Sequence, residues 1–130
     1  MRGRSNGSYP YGYLELISEL FGYQHNTIEV CSGDLHNDSE NLSIWHSTVD
    51  INPDKKADLV VDGQTLGGLP DNTFDRWRCD PPYNEKTANR MYKTKLPSPL
   101  KLLTAGARVC KPGALMFLLL GRGNYKTAIN

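Results

Sequence analysis

Three short apolar runs in this chain end in an acidic residue followed by a turn-forming one, and that recurrence restricts the folds open to it. They are Thr48-Val49-Asp50-Ile51-Asn52-Pro53, Ala57-Asp58-Leu59-Val60-Val61-Asp62-Gly63 and Phe74-Asp75-Arg76-Trp77-Arg78-Cys79-Asp80-Pro81. A fourth run, Thr27-Ile28-Glu29-Val30-Cys31, passes directly into Ser32-Gly33-Asp34. Runs of this length, rich in β-branched and aromatic residues and bounded by turn residues, read as strands. Alternating with helical patterns they predict an α/β domain whose sheet is mostly parallel. In open parallel sheets ligands sit at the carboxyl ends of the strands, which is where these acids fall.

The helical patterns lie on either side. Tyr13, Leu14, Ile17, Leu20 and Phe21 recur at helical spacing, with Gly22 as the stop. Pro97-Ser98-Pro99 reads as a helix start, with Ser98 as N-cap and Pro99 in the first turn. Leu100, Leu102, Leu103, Ala107 and Val109 form its expected buried face. Lys111-Pro112-Gly113 then turns the chain into Ala114–Leu120, an apolar run expected of a strand covered on both faces.

Pro81 has no N–H to donate, so the Phe74 run must stop at about Asp80, leaving a carboxylate at the strand end. The second proline stiffens the loop, and Tyr83 is left to present a ring. A carboxylate, prolyl carbonyls and an aromatic plane suit a flat molecule that carries an amino group. An acid at a strand end also accepts two hydrogen bonds from a ribose diol, and Asp50 is placed for that role.

Asp80-Pro81-Pro82-Tyr83 resembles the Asp/Asn-Pro-Pro-Tyr motif of S-adenosylmethionine-dependent amino-methyltransferases, a family that includes adenine-N6 and cytosine-N4 DNA enzymes. The likeness extends over roughly residues 27–120 with motifs in family order, and 74–88 and 106–121 resemble a small, largely uncharacterised prokaryotic group of methyltransferase-like proteins. It implies a minimal Rossmann-like three-layer fold of about five mostly parallel strands, the first crossover helix (residues 34–46) reduced and the final antiparallel hairpin absent. It further implies that Glu29, Cys31, Ser32 and Gly33 line the methionine end of the cofactor, with Asp50 and Ile51 at the second strand. Asp62, with Gly63 and Gln64 beside it, would take the adenine end. Asp80, Pro81, Pro82 and Tyr83 would hold the amine to be methylated. The turn after the first strand departs from the family in having Gly33 as its sole glycine.

A single domain is expected over residues 1–130: a flexible arm at 1–10, a cofactor half at 27–64 and a substrate half at 74–120. Residues 1–75 hold four bases against twelve acids, a net of −8, whereas residues 76–111 hold nine bases against two acids, a net of +7. An acidic half suits a cationic cofactor and a basic half a polyanion, unless the bases are simply a solvated helix face. Lys86, Arg90, Lys93 and Lys95, on a short helix expected over Glu85 to Tyr92, are the candidate nucleic-acid contacts, and DNA is favoured over RNA.

Cys31, Cys79 and Cys110 lack Cys-x-x-Cys spacing, so buried thiols are expected rather than a disulfide framework or a zinc site. His36 and His46 read as solvated loop histidines. No apolar run approaches membrane-spanning length and the start is too polar for a signal peptide, which together predict a cytoplasmic protein. A nicotinamide dinucleotide domain is disfavoured because no Gly-x-Gly-x-x-Gly follows the first strand. The other reading left open is a degenerate methyltransferase fold acting as a non-catalytic partner subunit. On that reading a partner or a second copy supplies target recognition.

Overall fold

The computed structural model describes residues 9, 12–22, 26–33, 46–82 and 96–120. Helix α1 (Tyr13–Phe21) precedes strand β1 (Thr27–Val30). Then come β2 (His46–Asp50), a 3-10 turn (Pro53–Lys55), β3 (Leu59–Val60), β4 (Phe74–Cys79), helix α2 (Pro99–Val109) and β5 (Cys110–Leu118). All four strand pairings are parallel, in the order β3-β2-β1-β4-β5. This is a small Rossmann-like α/β sheet. Its strand order reverses at β1, so the crevice expected of such a sheet opens beyond the carboxyl ends of β1 and its two neighbours.

Register decides which residues share a face. Ile28 pairs with Trp77 and Val30 with Cys79. These side chains, with Val49, pack under Leu102, Ala105 and Val109 of α2 to form the dry core. Contact there is close enough that a Cβ on Gly106 would stand 2.6 Å from Trp77 Nε1 and 2.7 Å from Met116 Cε. The alternate residues Thr27, Glu29, Arg76 and Arg78 form the opposite face, toward α1, and all four are buried. The sheet thus has one apolar and one polar buried face.

The strand and helix positions read from the sequence hold, with several corrections. Helix α1 buries Leu14 and Ile17, whereas Leu20 (65%) and Phe21 (49%) are exposed. Ser98 caps α2 as expected, its hydroxyl accepting from Lys101 N at 3.3 Å. The buried stripe of that helix, however, runs through Leu102, Ala105, Gly106 and Val109, and Leu100 points to solvent. The apolar run of β5 is not covered on both faces. It is an edge strand, with Leu115 46% exposed, because the sheet ends there and its ladder to β4 is broken by the Lys111–Ala114 excursion. Among the described residues no antiparallel strand pairing occurs. The reduced crossover at 34–45, the arm at 1–8 and the helix at 85–92 lie outside the described residues.

Candidate functional site

The crevice at the carboxyl edge is lined by Cys31, Asp50, Ile51, Asp62, Gly63 and Gln64, closed by Pro82, Pro97 and Leu102. The first six come from the carboxyl end of β2 and the turns after β1, β2 and β3. Pro82 arrives from the loop after β4, and Pro97 and Leu102 from the entry to α2. The opening is narrow, with about 20 Å³ available to the centre of a water molecule.

Asp50 is nearly fully buried and holds two turns together. Its Oδ2 accepts from Gly33 N at 2.8 Å and its Oδ1 from Asn52 N at 2.9 Å. These two bonds fix the orientation of the carboxylate. Asp62 organises the next turn. Its Oδ1 accepts from Gln64 N (2.9 Å) and from Gln64 Nε2 (3.3 Å), and Gln64 Oε1 in turn accepts from Ser98 N at 2.9 Å. Gln64 therefore links the third acidic turn to the start of α2. Gly63 faces Val30 and Leu102 so closely that a Cβ there would collide with Val30 Cγ1, which explains a glycine at that point.

Other candidate residues stand elsewhere. Ser32 and Gly33 are buried in the turn behind Cys31, with Ser32 N donating to Val49 O at 3.0 Å. Glu29 lies on the α1 face, ion-paired to Arg78 and accepting a 3.2 Å hydrogen bond from the Tyr9 hydroxyl. Asp80 and Pro81 are buried at the end of β4. Burial pushes the Tyr9 hydroxyl well above its usual pKa; Arg78 opposes the shift, and Cys79, Asp80 and Tyr13 add to it. Tyr9 and Tyr13 stack on each other, with centroids 5.0 Å apart. Tyr83, Lys86, Arg90, Lys93 and Lys95 lie outside the described residues, as does His36.

The buried Glu29–Arg78–Tyr9 group was not foreseen from the sequence, although its signal was present: Glu29 interrupts one apolar run, and Arg76 and Arg78 interrupt another. The same finding shrinks the basic half. Arg76 donates to Phe21 O (3.2 Å) and Gly22 O (2.9 Å), Arg108 to the carbonyls of Leu66 and Leu69 and to Asp71, and Lys111 pairs with Asp75 at 3.1 Å. Among the described residues no cluster of three or more His, Cys, Asp or Glu side chains could hold a metal, and no helix is long and apolar enough to cross a membrane. No protein-family model, curated protein or solved structure matches this chain.

Proposed function

We propose that this protein is an S-adenosylmethionine-dependent methyltransferase acting on an exocyclic amino group, with a nucleic-acid base as substrate and the cytoplasm as its place of action. The observation that supports it is the convergence of Asp50, Asp62 and Pro82 on one crevice at the reversal of strand order in a parallel sheet. Asp50 is the ribose acceptor in this reading and Asp62, steadied by Gln64, takes the adenine end. Asp80 and the Pro81 carbonyl, buried directly before the crevice-lining Pro82, accept in this reading from the two N–H groups of the substrate amine once the turns part. An aromatic amine is a poor nucleophile because its lone pair is delocalised into the ring. Two acceptors favour a tetrahedral nitrogen, whose localised pair attacks the sulfonium methyl in line. A bound cofactor would supply the methyl, its methyl-sulfur bond breaking as the nitrogen-carbon bond forms, with S-adenosylhomocysteine leaving and the surplus nitrogen proton passing to Asp80 or water; positioning would do most of the catalysis. A base in a duplex must first be flipped out.

The narrowness of the crevice favours a second reading, a cofactor-free partner subunit, since a nucleoside enters only if the turns move apart. Calorimetry separates the two. Micromolar to millimolar S-adenosylmethionine binding that Asp62→Ala weakens by about tenfold, or ~1.4 kcal/mol, supports the enzyme. An absence of binding at millimolar cofactor rules it out. Asp80→Asn should keep cofactor binding and lose methyl transfer to DNA, and persistent transfer would remove Asp80 from its role.

A further inference from the structure

Strand β1 ends at Val30, whose registered partner on β4 is Cys79. Were the strand to continue, the next side chain would point to the opposite face of the sheet. Instead Cys31 adopts a left-handed conformation, φ 56°, which a non-glycine residue rarely takes. That turn packs Cys31 against the buried cluster that contains Cys79, and Cys31 acts on the Cys79 thiol. Strand spacing and a one-residue offset give a Cα separation of roughly 5–6 Å, inside the range a disulfide spans. Cys31 is half-buried and lines the crevice, whereas Cys79 is fully buried beneath it. Burial above all, then Cys31, Asp80 and Asp50, hold the Cys79 thiol protonated well above the usual range.

We propose that Cys31 and Cys79 are an oxidisable pair, which hydrogen peroxide converts into a disulfide that crosses from β1 to β4 on the crevice floor and narrows it. Cys31, the reachable thiol, reacts first. Its sulfur attacks a peroxide oxygen, the O–O bond breaks, and the released oxygen leaves as water, carrying the thiol proton. Cys31 is now a sulfenic acid, oxidised by two electrons. The Cys79 sulfur attacks the Cys31 sulfur, the S–O bond breaks, and the hydroxyl departs with the Cys79 proton as a second water. A dithiol reductant returns both thiols. Drawing the sulfurs to bonding distance pulls the 31–33 turn toward β4 and so brings Cys31 toward Pro82 across the crevice. Cys110 pairs with Phe74 at the far end of the sheet and is an internal control.

The test treats the reduced full chain with hydrogen peroxide, alkylates the remaining thiols and maps the peptides. The expected product is one linked pair, Cys31 to Cys79, lighter by two hydrogens and reversed by dithiothreitol, with Cys110 alkylated. Cys31→Ser and Cys79→Ser should each abolish the link. Three thiols that stay reduced, a link through Cys110, or a Cys31 oxidised further without linkage would overturn the proposal. Narrowing is read by calorimetry with S-adenosylmethionine, the one arm that rests on the cofactor reading. Oxidation should weaken binding by about tenfold, and equal binding by both forms overturns the narrowing. If the reduced chain fails to bind, the methyl-transfer reading fails, and the linked peptide still decides the thiol pair.

Discussion

A carboxylate and a guanidinium buried side by side lose their hydration and must recover it from each other. Glu29 and Arg78 do so across registered positions of β1 and β4, with the Tyr9 hydroxyl adding a donor to Glu29. Removing one partner strands the other charge in a poorly solvated layer, which typically costs about 3–5 kcal/mol. Arg78→Met is therefore expected to lower the unfolding free energy, read by urea titration, by an amount in that range. The double variant Glu29→Met/Arg78→Met, which buries no charge at this position, should recover most of the loss. Equal stability of the single variant and the parent would show that the pair contributes nothing. A glutamate between Ile28 and Val30 and an arginine between Trp77 and Cys79 were visible in the sequence as exceptions. That they pair required knowing that β1 and β4 are neighbours.

Helix α1 shows how an element can depend on a residue far along the chain. Its last turn contains no basic side chain, and its terminal carbonyls at Phe21 and Gly22 accept instead from Arg76 of β4. Cations at this end of a helix also favour its dipole. Phe21 further rests against Phe117 of β5, with centroids 5.1 Å apart. Arg76→Ala should loosen the last turn of α1, read as faster amide exchange over residues 18–22, while exchange in α2 stays unchanged. Uniform acceleration in both helices would mean that Arg76 supports the whole sheet instead. The helix itself was legible from the spacing of Leu14 and Ile17 and from Gly22. Its narrow buried stripe was not, because the exposure of Leu20 depends on how the helix lies on the sheet.

At the scale of the whole molecule, burial leaves a mark on alkaline stability. The Cys110 thiol is pushed from its ordinary 9.0 up to about 11 by burial and by Asp75, and burial raises Cys79, Tyr9 and Tyr13 as well. Between 9 and 11 the unfolded chain has lost the Cys110 proton and the folded chain retains it. The unfolded state then binds fewer protons, so unfolding free energy falls as pH rises. Thermal midpoints under reducing conditions should be level from about pH 7 to 9 and decline from 9 to 11. A level midpoint through pH 11 would contradict the burial of these groups, and Cys110→Ala should make the decline shallower.

The sequence alone determined the elements and their order, because strand and helix periodicity, the Ser98-Pro99 start and the Pro81 stop are local properties of the backbone. It also placed acids at strand ends. Tertiary structure decided what those acids face: Asp50 and Asp62 meet across the crevice, while Glu29 turns to the α1 face and pairs with Arg78. It likewise buried Arg76 against the end of α1 and tied the part-exposed Arg108 and Lys111 to partners distant in the chain. Partnership across strands depends on which strands are neighbours and in what register. Those are fixed by burial of the whole sheet, and no local stretch of sequence encodes them.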